Sequence, residues 1–212
     1  MDTGENMQPT INVLGVAGSM RSGSYSTKAL EMALELAKKR GAQVRMLELG
    51  KTVLPLFDGM LTKEGRDPGT LASGPVEEAA KAVAWADAFI LASPDYHGSV
   101  SGTLKNFLDH FYKEFGGKVF GYVVASHEKG LTAMDQMRTA VRQCYGWSLP
   151  YGFSINGDLD FADGQITNAE LSRRLEMMSR DLVVYGRLLR DQFAGDLQSS
   201  EPDTFAARYR QQ

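Results

Sequence analysis

The sequence holds one cysteine, Cys144, in 212 residues. A lone thiol excludes an intrachain disulfide framework and a cysteine-rich zinc site, fits a reducing compartment, and makes the cytoplasm the expected location. No apolar run approaches the roughly 18 residues of a membrane span. Residues 1–9 carry Asp2 and Glu5 where a secretory signal would place basic residues and an apolar stretch. Charge of one sign is also scarce: 23 Lys plus Arg against 26 Asp plus Glu leave a net −3, too even a balance for a nucleic-acid partner. Of the three histidines, His127 precedes Glu128 without the second histidine of H-E-x-x-H, and no metal site is expected.

What is present is a globular mixture, 43% apolar and 23% charged, with length enough for one sizeable core. Apolar runs at 11–17, 88–93 and 118–126 read as buried strands, with a further strand around Val44, Met46 and Leu49 and a weaker one at 151–155. Between them, Leu30, Ala33, Leu34 and Ala37 repeat at helical spacing and end on Lys38, Lys39, Arg40 and Gly41, a cationic last turn and a glycine stop. Pro75 opens a second helix; Leu104, Phe107, Leu108 and Phe111 open a third that is expected to end at Gly116-Gly117. A fourth covers 131–145, and a long last helix starts near Asn168 behind a Thr167-x-x-Glu170 capping box. Apolar strands alternating with helices predict an α/β fold, a five-stranded doubly wound parallel sheet with helices on both faces. The expected organisation is a flexible leader over 1–9, one domain over 10–195 and a weakly ordered tail over 196–212.

In such a sheet, ligands bind beyond the carboxyl ends of the strands. The loop after the first strand, Gly18-Ser19-Met20-Arg21-Ser22-Gly23-Ser24-Tyr25-Ser26-Thr27, gathers hydroxyls, an arginine and a helix N-terminus, a setting for an anion. Gly18 and Gly23 have the spacing of a nucleoside-triphosphate loop, but Ser24-Tyr25 stands where Lys-Ser/Thr would be, and no G-x-G-x-x-G fingerprint occurs. A single terminal phosphate suits this loop best; a serine-rich turn capped by Ser24 or Ser26 is the plainer alternative. The loop after the third strand, Pro94-Asp95-Tyr96-His97-Gly98-Ser99, can offer backbone approach and ring faces to a flat ligand, or be an ordinary loop before a helix whose Lys105 and Asp109 form an i,i+4 surface pair; taken alone it favours neither. Asp95, His97 and Ser99 lie too close in sequence to converge as a hydrolase triad, and G-x-S-x-G is absent. Cys144 shares a helical face with Met137 and Val141, which favours packing over a reactive thiol.

Taken together the two loops resemble the NAD(P)H-dependent FMN reductase family, the flavodoxin-like group that includes quinone, azo and chromate reductases. Its Gly-Ser-x-Arg-x-x-Ser-x-Asn motif is matched by Gly18, Ser19, Arg21 and Ser24. Its Pro-Glu-Tyr-Asn-Gly-Ser-x-x-Gly-x-Leu-Lys-Asn-x-x-Asp motif is matched by Pro94, Tyr96, Gly98, Ser99, Gly102, Leu104, Lys105, Asn106 and Asp109. The resemblance implies strand order 2-1-3-4-5 with FMN at the switch point. It implies that Ser19, Arg21 and Ser24 hold the phosphate with Ser26 in place of the motif's Asn, and that Pro94, Tyr96, Gly98 and Ser99 line the isoalloxazine. Asp95 stands for Glu and His97 for Asn. In the loop after the fourth strand, often glycine-rich in the family, Ser126 and His127 stand as candidate contacts.

The function expected on this basis is FMN-dependent transfer of hydride from NADPH or NADH to a small acceptor (quinone, free flavin, azo compound or metal oxyanion) in a two-step ping-pong reaction. No side chain is assigned as catalytic, because the flavin carries the chemistry. The alternative is a flavodoxin-like electron carrier with a protein partner, for which a stronger single-sign surface would be expected. A seam of Leu171, Leu175, Met178, Leu182, Tyr185 and Leu189 in the last helix suits packing on its own sheet by default, with a second subunit as the alternative; Val183, Val184 and Leu188 broaden the apolar surface beyond one stripe, and this, with the habit of the family, points to a homodimer or homotetramer.

Overall fold

The computed structural model describes residues 10–59 and 74–210. The expected leader over 1–9, residues 60–73 and the last two residues lie outside them. The strongest apolar runs become the centre of one parallel sheet: β1 (Ile11–Ala17), β3 (Ala88–Pro94) and β4 (Val119–Ala125) are almost wholly buried, while β2 (Ala42–Glu48) alternates as an edge strand. β1 lies between β2 and β3, and β3 pairs with β4.

The fifth position is shared by two short strands, β5 (Trp147–Ser148) and β6 (Phe153–Ile155), each parallel to β4, which gives the order β2-β1-β3-β4-β5. A single strand over 151–155 was the expectation. Pro150 has no N–H to give to the ladder, so pairing stops after the Leu149 N–H bond to Phe120 O and resumes at Phe153.

Helices α1 (Tyr25–Lys39) and α6 (Ala169–Gln198) cover one face, where Ile11, Val13, Ile90 and Val123 meet Leu30, Ala33, Met178 and Leu182. Helices α2 (Pro75–Trp85), α3 (Gly102–His110) and α4 (Leu131–Gln143) cover the other over Leu14, Phe89, Leu91, Phe120 and Tyr122. The two faces follow from period-2 alternation along each strand. Gly15 is required because a Cβ there would lie 2.7 Å from the Leu34 side chain of α1. A four-residue helix, α5 (Gly157–Asp160), and a hairpin of β7 (Phe161–Ala162) and β8 (Gln165–Ile166) link β6 to α6.

Three local expectations change. α3 stops at His110, because Phe111 turns to an extended conformation and the chain re-enters as a short 3-10 helix that buries Phe115. The cap of α6 is Asn168, whose Oδ1 accepts from the N–H groups of Glu170 and Leu171, while the Thr167 hydroxyl donates to Asp160 O. Beyond α6 the chain is packed: a 3-10 helix over Phe205–Tyr209 sets Phe205 and Tyr209 against Phe193, and the Arg210 guanidinium donates to the carbonyls of Asp196 and Glu201. Tyr209 seats in the notch left by Gly116, where a Cβ would fall 2.0 Å from its hydroxyl. Among the described residues no helix is long and apolar enough to cross a membrane.

Two half-buried titratable groups belong to the fold. Burial, with Glu114 and Asp109 adding to it, pushes the half-buried Cys144 thiol up to about 11, which disfavours the thiolate. Lys118 at the start of β4 donates to Val83 O at 2.9 Å and lies 5.6 Å from the Phe89 ring centroid. Burial lowers its pKa to about 8 against the attraction of Asp87 and Glu114. Between about pH 8 and 10.5 the unfolded chain therefore binds the proton that the folded chain has lost, and stability rises with pH across that window. We expect Lys118→Met to lose this rise, with a stability difference from wild type on the order of 2 kcal/mol at pH 7 that closes by about pH 10.5. Urea titrations of both proteins across that range check it; parallel pH profiles would contradict it.

Candidate functional site

β1, β3 and β4 all end at one edge of the sheet, and the loops that leave them surround a cavity of about 450 Å3, within the range of roughly 300–1,000 Å3 of small-molecule sites. It is lined by Ser19, Arg21, Gly23, Ser24, Tyr25, Ser26 and Lys28 from the first loop and α1, by Pro94, Asp95 and Tyr96, by Ala125, Ser126 and His127, and by Gly157 and Asp158 of α5. Nine of the twelve residues read from the sequence, Ser19, Arg21, Ser24, Ser26, Pro94, Asp95, Tyr96, Ser126 and His127, are thus brought to one cavity. His97, Gly98 and Ser99 are not among its lining residues.

The first loop is organised around Ser24, the N-cap of α1. Its Oγ accepts from Thr27 N–H at 3.2 Å and contacts Thr27 Oγ1 at 2.8 Å and Ser26 Oγ at 3.2 Å. The cap satisfies one of the orphan donors of the helix start; the first N–H groups of α1 have no intrahelical acceptor and face the loop. Ser19 Oγ accepts from Arg21 N–H at 3.1 Å, which folds the loop back and brings Arg21 to the cavity. The plainer reading holds for Ser24, which caps α1, and the same loop and helix start bring two cations, Arg21 and Lys28, to the cavity wall.

The second loop is a tight turn. Tyr96 and Ser99 exchange both backbone hydrogen bonds, and His97 (φ 56°) and Gly98 (φ 73°) occupy the two left-handed positions between them. That geometry explains the Gly and sends the His97 ring outward. Ser99 donates to Gln136 Oε1 of α4 at 2.8 Å, away from the cavity. Asp95 is tied to the third loop: its N–H donates to Ala125 O, and its Oδ2 accepts from Ser126 Oγ at 3.0 Å. Asp95 Oδ1 is buried without a protein partner, an acceptor left over at the cavity wall.

His127 Nδ1 stands 3.6 Å from Asp158 Oδ2, and Tyr25 Oη donates to Asp158 Oδ1 at 3.4 Å, so α5 bridges the first and third loops. The Tyr25 ring stacks on Phe161 and fills the space where Gly157 lacks a side chain. Tyr25, Lys28, Gly157 and Asp158 were missed in the sequence. Tyr25 and Lys28 lay inside the recognised strand-loop-helix unit and were legible as the first turn of α1; nothing local marks Gly157 and Asp158. Among the described residues no group of three His, Cys, Asp or Glu side chains is placed to hold a metal ion.

The profile of one family, the NADPH-dependent FMN reductases, matches residues 11–160, which takes in every loop of the cavity. The chain belongs to this family. An NAD(P)H:quinone oxidoreductase from Solanum tuberosum is 37% identical over 105 residues, 48% of this chain and 50% of that protein. An NAD(P)H-dependent FMN reductase from Pseudomonas aeruginosa is 34% identical over 134 residues, 61% of this chain and 68% of that protein. The chain therefore spans half of the first relative's length and about two thirds of the second's. An apo NADH:FMN oxidoreductase superposes over 92% of this chain and 94% of its own, with a TM-score of 0.63 at 23% identity, which makes the fold flavodoxin-like. The residues present fit the family's flavin: a set of hydroxyls with an arginine suits a monoester phosphate, and the unpartnered Asp95 Oδ1 leaves a free acceptor on the cavity wall for a polar ligand group.

Proposed function

We propose that this FMN reductase family member is an NAD(P)H-dependent flavoprotein oxidoreductase that reduces a small acceptor such as a quinone, free flavin, azo compound or metal oxyanion. The observation that carries the reading is one cavity with an anion cradle at one end, Ser19, Arg21, Ser24 and Ser26, and Pro94, Tyr96, Ser126 and His127 at the other. The names of the relatives support the reductant and the range of acceptors.

When bound, the flavin supplies the hydride chemistry, as electron acceptor from the nicotinamide and donor to the acceptor. Arg21 would give a bound phosphate a full positive charge, and the Ser19, Ser24 and Ser26 hydroxyls and the α1 N-terminus would offer it hydrogen-bond donors. Pro94 and Asp95, tied to the third loop by the Asp95 N–H bond to Ala125 O and the Ser126 Oγ bond to Asp95 Oδ2, would form part of the wall that holds the flavin. Tyr96, 46% exposed, stands at the rim where an aromatic substrate has a face to meet. These residues position and neutralise; none is needed as acid or base, which suits hydride transfer between bound rings.

Reductant and acceptor use the same open side of this cavity in turn, so the expected kinetics are ping-pong. Initial rates with NADPH varied at several fixed quinone concentrations should give parallel double-reciprocal lines; lines that intersect would contradict the single-site reading. Association into a homodimer or homotetramer is part of the same proposal. It is supported by the exposed Met177, Tyr185 and Leu188 on α6 and is read directly by sedimentation.

A further inference from the structure

Gly18, the first residue after β1, is fixed at both ends of its peptide groups. Its N–H donates to Ala92 O at 2.8 Å. Its carbonyl accepts two hydroxyls from the start of α3, Ser101 Oγ and Thr103 Oγ1, each at 2.6 Å. Ser101 is 3% exposed and also caps α3 by accepting from Leu104 N–H. Its own N–H donates to the fully buried Ser93 Oγ, and Ser93 Oγ donates to Pro94 O. One run of hydroxyls thus joins the loop that begins at Pro94 to the anion loop. Glycine is needed for the approach, since a Cβ on residue 18 would stand 2.9 Å from Ser101 Oγ and 2.8 Å from Leu104 Cβ.

Thr103 neither caps α3 nor gives the Gly18 carbonyl its only hydrogen bond. Ser101 already caps the helix and already satisfies the carbonyl, yet a second hydroxyl is aimed at the same oxygen. No peptide bond among the described residues is cis, and in a trans peptide the carbonyl and the next N–H point in opposite directions. Holding Gly18 C=O toward α3 therefore turns Ser19 N–H the other way, to the side where Ser19, Arg21, Ser24 and Ser26 line the cavity. Ser19 N–H has no protein acceptor among the described hydrogen bonds. Two hydroxyls on a carbonyl also polarise its peptide and strengthen the N–H as a donor.

We propose that Ser101 and Thr103 are positioning residues of the anion site: they fix and polarise the Gly18–Ser19 peptide so that Ser19 N–H is presented to the phosphate of bound FMN. The proposal rests on the FMN reading above. Neither residue touches the ligand, and both act through the Gly18 carbonyl.

The test removes one hydroxyl and keeps the shape. Apo-protein is titrated with FMN and with riboflavin, followed by flavin fluorescence, for wild type, Thr103→Val and Thr103→Ser. The Ser19 amide is followed in parallel by 1H–15N correlation spectra. Thr103→Val should bind FMN five- to tenfold more weakly with riboflavin unchanged, and the downfield shift of the Ser19 amide on FMN addition should shrink; Thr103→Ser should restore both. Equal loss for FMN and riboflavin, or FMN affinity unchanged in Thr103→Val while wild type still prefers FMN to riboflavin, would overturn the positioning role alone. A wild type that binds FMN no better than riboflavin would overturn the phosphate reading and this proposal with it.

Discussion

Replacing Arg21 by alanine is expected to weaken FMN by about one to two decades. Arg21 is a full positive charge brought to the cradle by the fold-back of the loop onto Ser19 Oγ. A hydrogen bond to a charged partner contributes roughly 1.5–3 kcal/mol, and each 1.4 kcal/mol is about a factor of ten in affinity. Lys28 lines the same cavity but sits one helical turn further along α1 and lies over the Tyr25 ring, 5.4 Å from its centroid, so it does not take over the role. Riboflavin, which lacks the phosphate, should bind Arg21→Ala and wild type alike. A fluorescence titration reads both ligands; FMN affinity unchanged in the variant would remove Arg21 from the phosphate site.

Phe120→Ala is expected to cost about 3–5 kcal/mol of stability. Phe120 is fully buried near the start of β4, stacked on Phe89 with ring centroids 4.7 Å apart, and Phe115 packs edge-on against both at 5.4 Å. Its loss opens a cavity between the sheet and α2–α4 that backbone hydrogen-bonded on both sides, to β3 and β5, cannot close. For a chain of this size each kcal/mol lowers the melting temperature by roughly 2–4 °C, so a fall on the order of 10 °C is expected. Urea unfolding measures the cost, and a loss below about 1.5 kcal/mol would mean that the aromatic cluster repacks. Because the cluster lies on the opposite face from α1, the FMN affinity of the folded variant should stay near that of wild type.

The elements that were legible in the sequence are those whose signal is continuous along the chain. β1, β3 and β4 announce themselves because both faces are buried and nearly every residue is apolar, and α1 because its stripe ends on Lys38, Lys39 and a glycine at φ 83°. The part of the cavity that the loop after β1 lines was legible for the same reason: hydroxyls, arginine and helix start lie within ten residues. The split of the fifth strand was not, since the pairing of Leu149 and Phe153 with β4 is decided by a partner some thirty residues away. Thr103 looked like an ordinary first-turn residue of α3; its role depends on a carbonyl 85 residues earlier. Asp158 entered the site only because β6 delivers it to the same edge as Tyr25 and His127. Asp163 (φ 50°) and Gly164 (φ 77°) form a hairpin turn that D-G spells plainly, yet strands of two residues on either side are too short to show alternation. Ser99, carried by its motif toward the ring, instead donates to Gln136, a residue 37 positions further on.

The measurement that tests the account most directly is the anaerobic absorption spectrum of the FMN-loaded protein before and after addition of NADPH, with NADH in parallel. The account predicts that the bound flavin bleaches on mixing with at least one of the two and regains its oxidised spectrum when a quinone is added. A flavin that binds at one per chain and stays oxidised with both nicotinamides would contradict it, and would make the protein a flavin-binding electron carrier that draws on a protein partner.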